Sequence, residues 1–93
     1  MSVRLSVPAA WRTLLPGVDT DALTCEATTV GDALTWLTRA HPALGERLLH
    51  EGRIVAWTNV FIGEDNVRDL DGLRTPLPAA GATLTILPAM AGG

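Results

Sequence analysis

The sequence predicts an α+β fold: a mixed sheet of about four to five strands, with one main helix packed on one face. Two observations predict it. Segments that alternate apolar and polar residues, as half-buried strands do, occur near both ends of the chain. Between them, one stretch carries apolar residues at helical spacing. The predicted order is strand, strand, helix, strand, short strand, strand, and 93 residues suit a single domain.

The first two predicted strands rest on strict alternation. Residues 2–8 place Val3, Leu5 and Val7 on one side, and Pro8 closes the strand. Residues 23–27 alternate in the same way and predict a second strand. Strands that follow each other along the chain usually pair, so we expect these two to be neighbours. Trp11, between them, is expected to pack as an anchor under the connection.

The main helix is predicted from about residue 30 to Ala40. Thr29 with Asp32 three residues later resembles a capping box, with Asp in place of Glu. Pro42 ends the helix near Ala40. The residues that follow helical spacing, and are expected to face the core, are Val30, Ala33, Leu34, Leu37, His41 and Leu44. Residues 43–50 predict a further short helical turn, stopped by Gly52.

The second half of the chain predicts three strands. Residues 53–62 read as one strand that is apolar on both faces, and such a strand is central or meets a partner. Residues 63–66 form a polar turn, and residues 67–70 are a short return strand. The last predicted strand covers residues 82–87. Leu84 and Ile86 are expected to point toward the core, and Leu87 to point outward.

Composition excludes several classes of function. The net charge is −3 and the sequence has no basic cluster, so a nucleic-acid role lacks its electrostatic basis. A mildly acidic surface suits a basic protein partner, although such a surface is also common on soluble proteins. Cys25 is the single cysteine, so no internal disulfide can form. No apolar run approaches the length of a membrane span or a signal peptide, which predicts a cytoplasmic protein. The sequence contains no group of residues typical of a catalytic site, so nothing in it supports an enzymatic function.

The chain ends in Pro88-Ala89-Met90-Ala91-Gly92-Gly93, directly after the last predicted strand. Glycine has no Cβ, so the final backbone can enter a slot too narrow for other residues. The carboxylate of Gly93 is charged at neutral pH. A thin arm ending in a carboxylate suits another protein's active site, although a frayed terminus is the simpler alternative. We therefore expect a domain over residues 1–87 and a flexible tail over residues 88–93.

Two stretches resemble a known family. Residues 59–68 (NVFIGEDNVR) are similar to the hairpin, and residues 84–93 (LTILPAMAGG) to the closing segment, of the ubiquitin-like sulfur carrier proteins of the ThiS/MoaD superfamily. The chain resembles most, along its whole length, the carrier used for cysteine biosynthesis in actinobacteria. Met90 and Gly63 depart from the family's usual Val and Asn. The resemblance implies a ubiquitin-like β-grasp fold.

The resemblance also implies a function. The Gly93 carboxylate is adenylated by a partner enzyme that uses ATP and resembles ubiquitin activators. Sulfur then displaces the adenylate to give a thiocarboxylate that donates sulfur in biosynthesis. The carrier is thus a co-substrate rather than an enzyme, and it binds no cofactor or metal itself. The acceptor is a cysteine synthase dependent on pyridoxal phosphate, the large subunit of molybdopterin synthase, or a natural-product enzyme. A metalloprotease that trims the C-terminus is a further partner.

Residue roles follow from the same resemblance. Gly92, Ala91 and Met90 are expected to thread into the partner's active site, and Pro88 to aim the tail away from the strand. Phe61, Leu87 and Pro88 are expected to dock the partner. Phe61, Leu87 and Trp57 lie on the outward side of their strands, and the alternative is that a loop covers them.

Several residues outside the tail have more than one interpretation. Cys25 is a sulfur relay or a small buried hydrophobe, and Trp36 faces a partner or covers the sheet edge. Arg68, Asp69 and Asp71 form a charged rim for a partner or a solvated loop. His41 and His50 are too isolated to build a metal site with Cys25.

Two other functions remain open at this stage. One is a ubiquitin-like modifier that the same adenylate chemistry joins to lysines. The other is an interaction module with an inert tail, which would keep its function after loss of Gly92-Gly93.

Overall fold

A computed structural model describes residues 2–78 and 81–88. Seven strands and two α-helices follow in chain order: β1 (Ser2–Ser6), β2 (Thr24–Glu26), α1 (Val30–Ala40), α2 (Gly45–Leu48), β3 (Leu49–His50), β4 (Arg53–Ile54), β5 (Thr58–Ile62), β6 (Asp65–Asn66) and β7 (Ala82–Pro88). Short 3-10 helices connect them: Ala9–Leu14, Thr20–Ala22, Pro42–Leu44, Val67–Asp69 and Gly72–Arg74. In this part of the chain no helix is long and apolar enough to cross a membrane.

The main sheet has the strand order β2-β1-β7-β5-β6. Strand β7 lies at its centre, parallel to β1 and antiparallel to β5. Strand β1 also pairs with β2, as predicted for sequential strands. The predicted mixed sheet of about five strands is therefore confirmed, and its central strand is the one that leads into the C-terminal residues.

The core lies between one face of this sheet and α1. The inward residues of the strands, Val3, Leu5, Val60, Leu84 and Ile86, have essentially no exposed surface. They pack with the buried stripe of α1, Val30, Ala33, Leu34 and Leu37, as the helical spacing predicted. Trp11 is also buried and belongs to the same cluster, so its predicted role as an anchor is confirmed.

The N-terminus of α1 is capped as the sequence predicted. The Thr29 hydroxyl oxygen accepts a hydrogen bond from the Asp32 N–H at 3.2 Å. The Thr28 hydroxyl donates to a carboxylate oxygen of Asp32 at 2.9 Å. This hydrogen bond, with those from the neighbouring backbone, lowers the pKa of Asp32 below its ordinary value. The helix ends at Ala40, two residues before Pro42.

The prediction of one strand over residues 53–62 is wrong. Arg53–Ile54 forms β4 and pairs with β3 in a separate two-stranded hairpin. Glu51 and Gly52 both have positive φ, 51° and 75°, as the two loop residues of a type I′ turn require. A second turn, closed by the Thr58 N–H to the Val55 carbonyl at 3.2 Å, then separates β4 from β5. Its residues are apolar, so hydrophobicity alone did not reveal the turn.

Two neighbouring predictions also need correction. The helical turn predicted over residues 43–50 ends at Leu48, because Leu49 and His50 form β3. The return strand predicted over residues 67–70 is instead β6, Asp65–Asn66, followed by a 3-10 helix. The Asn66 side chain accepts a hydrogen bond from the Arg68 N–H at 3.0 Å, which caps this short helix and ends the strand.

Candidate functional site

The residues predicted to react and to enter a partner, Met90, Ala91, Gly92 and Gly93, lie outside the described residues. Their roles, the flexible tail and the division of the chain at residue 87 therefore remain predictions. What the structure does describe is the surface around Pro88, where β7 ends. Pro88 is exposed and lies opposite Thr58, the first residue of β5.

An apolar patch lies on the outer face of the sheet beside Pro88. Leu87 lies opposite Asn59, and Thr85 lies opposite Phe61. Because alternate residues of a strand point to opposite faces, these four side chains share the face turned away from α1. Leu87 is 45% exposed and Phe61 is half-buried. The structure thus brings Phe61 and Leu87 onto neighbouring positions, with no described segment covering Leu87.

Polar residues border this patch. The Asn66 side-chain amide donates to the Asn59 side-chain oxygen at 3.3 Å. Asn66 is paired with Phe61, so this amide pair lies on the same face. Across β7, the outward residues of β1 are Ser2, Arg4 and Ser6, all exposed. The apolar part of the outer face is therefore confined to the end of the sheet from which the chain continues to its C-terminus.

Trp57 does not lie on a strand, although the alternation of residues 53–62 predicted that it would. It lies on the turn between β4 and β5 rather than on a strand, so strand parity does not apply to it. Its side chain is 61% exposed, the highest value among the large hydrophobic residues that the structure describes. Since Thr58 lies opposite Pro88, Trp57 stands at the same end of the sheet as the chain exit.

Arg68 holds the turn that carries Trp57. One guanidinium nitrogen, Nη2, donates to the Val55 carbonyl at 2.6 Å and to the Thr58 carbonyl at 2.7 Å. Strand β6 pairs with β5 only at Phe61 and Ile62, and the two carbonyls lie before that pairing begins. At this edge of the sheet the Arg68 guanidinium therefore supplies the hydrogen bonds that a neighbouring strand would otherwise provide. Arg68 is therefore not simply part of a solvated loop. The sequence pattern did not predict this role of Arg68, because its two acceptors lie 10 and 13 residues away.

Comparison with known proteins decides the family. The model of the ThiS family matches residues 5–93. The chain belongs to the ThiS family. The sulfur carrier protein CysO of Mycobacterium tuberculosis is 30% identical over 96 residues, which cover the full length of both chains. The predicted resemblance is thereby confirmed, and these relatives are sulfur carrier proteins rather than enzymes.

Solved structures of similar proteins agree with this fold. A chain of the Amycolatopsis orientalis BexX/CysO complex superimposes with a TM-score of 0.81 at 31% identity, covering 98% of this chain and 99% of that one. Small archaeal modifier protein 1 from Methanosarcina acetivorans gives 0.80 at 28% identity, covering 99% and 96%. The predicted ubiquitin-like β-grasp fold of this ThiS-family member is thus confirmed.

The remaining candidate residues do not come together. Cys25 is half-buried in β2, and burial, with a smaller effect of the Glu26 carboxylate, raises the pKa of its thiol. The thiol is therefore protonated at neutral pH, which suits packing better than a sulfur relay. His41 contacts Trp36 edge to face, with ring centroids 6.4 Å apart. Within residues 2–78 and 81–88, no three acidic, histidine or cysteine side chains are grouped to hold a metal ion.

Proposed function

We propose that this member of the ThiS family is a sulfur carrier whose reactive group is the carboxylate of Gly93. The observation that carries the proposal is the family match, which runs from residue 5 through Gly93. The name of the full-length relative, sulfur carrier protein CysO, supports it. So does the central position of β7, whose partners on both sides anchor the strand from which the C-terminal residues continue.

The proposed chemistry proceeds in two steps inside a partner enzyme. A Gly93 carboxylate oxygen attacks the α-phosphorus of ATP, pyrophosphate leaves, and an acyl-adenylate forms. Hydrosulfide then attacks the acyl carbon, and AMP leaves. A persulfide donor would instead form an acyl disulfide, which a second thiol cleaves to release the thiocarboxylate and a mixed disulfide. The resulting thiocarboxylate is ionised and nucleophilic at neutral pH, by the logic that makes a low-pKa thiolate reactive. Activation is needed because a free carboxylate is a poor acyl donor.

The carrier needs a partner because its own chain supplies only the acyl group. Gly92 and Gly93 lack a Cβ, which allows them to enter a narrow channel. Ala91 and Met90 line its entrance, and Phe61 and Leu87 dock against the partner beside the chain exit. An exposed leucine next to a half-buried aromatic ring suits such a contact.

The proposed sulfur acceptor is a cysteine synthase that depends on pyridoxal phosphate. The full-length match to CysO favours this acceptor over the large subunit of molybdopterin synthase. Natural-product enzymes are the third acceptor class that the family resemblance implies. The complex of a similar chain with BexX supports binding to a protein partner without deciding among these classes.

The intact mass of the protein tests this proposal. The protein is incubated with ATP, a sulfide source and the adenylating enzyme of its host. The expected result is a mass increase equal to the replacement of one oxygen by one sulfur. A variant that lacks Gly93 is the control and should not change. If an enzyme that is active on another carrier leaves this one unchanged, the proposed function is wrong for this pair.

A ubiquitin-like protein modifier is the second candidate, and the likeness to small archaeal modifier protein 1 favours it. In that case the acyl-adenylate is passed to lysine amines of other proteins. All seven basic side chains of the 93 residues are arginines. A lysine-linked adduct of this chain therefore reports a different protein, never a second copy. Adducts that appear with ATP and the adenylating enzyme, and disappear without Gly93, would support this candidate.

A further inference from the structure

Three of the seven arginines line one cavity. Arg53, Arg68 and Arg74 surround a volume of about 340 Å³, and Asp71 is the one acidic residue of the lining. The cavity lies between the β3–β4 hairpin and the short helices that follow β6. A chain of net charge −3 thus carries a local excess of positive charge at this place.

The cavity's arginines are not neutralised within the described part of the chain. The side chains of Arg53 and Arg74 form no hydrogen bond and no ion pair with a described residue, and both residues are exposed. Arg68 uses one nitrogen for two backbone carbonyls, so its charge is not compensated by a carboxylate. A guanidinium pairs best with the two oxygens of a carboxylate or phosphate. The surface is therefore complementary to an anionic group.

A second cavity connects these arginines to Trp57. It has a volume of about 420 Å³ and shares Arg53 and Ile54 with the first. Trp57 lines it, together with His50 and Glu51, whose side chains lie 3.9 Å apart. Since Arg68 binds both ends of the Trp57 turn and also lines the first cavity, Trp57 and the arginines lie on neighbouring parts of the surface. We call Arg53, Trp57 and Arg74 the Arg–Trp surface.

The Arg–Trp surface lies beside the chain exit. Thr58, whose carbonyl Arg68 binds, is paired with Pro88. Adjacent strands lie roughly 5 Å apart, so an enzyme that receives the C-terminal residues comes close to the Trp57 end of this surface, from which the two cavities lead to Arg53 and Arg74. Tryptophan and arginine are the side chains most often found to dominate binding energy at protein interfaces.

From these contacts we infer that the Arg–Trp surface docks the adenylating enzyme, through carboxylates of that enzyme that meet Arg53 and Arg74 and an apolar slot that receives the Trp57 indole. The inference rests on the proposed function and specifies its partner. It also reverses an expectation drawn from net charge, which favoured a basic partner. A free anion does not account for the exposed indole, whereas an apolar slot on a protein partner would cover it.

Initial rates of thiocarboxylate formation test the inference. The host adenylating enzyme, ATP and sulfide are held constant while the concentration of the carrier is varied. The variants are Arg53→Gln, Arg74→Gln and Trp57→Ala. Arg39→Gln is the matched control, because Arg39 is exposed on α1, its side chain forms no described hydrogen bond, and the substitution removes the same charge. Thermal unfolding of each variant verifies that it is folded.

The expected effect is on KM for the carrier, with kcat unchanged, since docking is separate from the chemistry at Gly93. Each arginine variant should raise KM about two- to fivefold, and Trp57→Ala about thirtyfold. Added salt should weaken the wild type more than the two arginine variants. Arg39→Gln should match the wild type.

Two results would overturn the inference. One is that all three variants keep the KM of Arg39→Gln. The other is that inorganic phosphate shifts the NMR signals of Arg53 and Arg74 while the variants keep a normal KM, which would show a free-anion site. A wild-type protein that forms no thiocarboxylate would instead contradict the proposed function, so the two failures are distinguishable.

Discussion

Replacing Arg68 by methionine tests how the exposed end of the sheet is held together. The change keeps most of the aliphatic stem and removes the guanidinium that binds the Val55 and Thr58 carbonyls at 2.6 and 2.7 Å. Hydrogen bonds to charged groups contribute about 1.5–3 kcal/mol each. Arg68 is exposed, so water can replace part of both bonds. We therefore expect the free energy of unfolding to fall by about 1–2 kcal/mol in total.

Urea unfolding followed by tryptophan fluorescence measures this loss. Each kcal/mol corresponds to a decrease in Tm of roughly 4–8 °C for a domain of this size. Arg39→Met is the matched control, because it removes an arginine whose side chain forms no described hydrogen bond. Amide exchange at Thr58, whose N–H closes the Trp57 turn, should also become faster in Arg68→Met. If Arg68→Met and Arg39→Met lose the same stability within about 0.5 kcal/mol, Arg68 does not hold the turn.

Three further predictions concern the core, the helix cap and the docking patch. Leu34→Ala, at a fully buried position, should cost about 2–5 kcal/mol in urea unfolding, whereas Leu70→Ala, at an exposed one, should cost far less. The pKa of Asp32 is lower in the folded protein than in the unfolded chain. The ionised Asp32 side chain therefore stabilises the fold at a pH above the ordinary aspartate pKa, and this stabilisation is lost as the pH falls through the lowered, folded-state pKa. Asp32→Asn should therefore flatten the acid side of the stability–pH profile, and an unchanged slope would contradict the cap's role. Phe61→Ala and Leu87→Ala should raise KM for the carrier about tenfold in the thiocarboxylation assay, with kcat unchanged; a fall in kcat alone would argue against docking.

The periodic elements could be predicted because their evidence is local. Strand β1 and helix α1 follow from alternation and from helical spacing, which involve residues a few positions apart. The cap at Thr29 is equally local, since its hydrogen bond spans three residues. Predictions failed where apolar residues form a turn, as at Val55–Thr58, because hydrophobicity does not distinguish a buried strand from a turn that displays a tryptophan.

The sequence by itself determined the α+β class, the main helix and the family resemblance, with the reactive tail that the resemblance implies. The tertiary structure alone decided that no described segment covers Leu87 and that Thr58 lies opposite Pro88. It also gathered Arg53, Arg68 and Arg74 around one cavity beside Trp57. The reason is physical: these relations depend on how the strands are ordered and on hydrogen bonds between distant residues. Both are established only when the whole chain folds around its hydrophobic core.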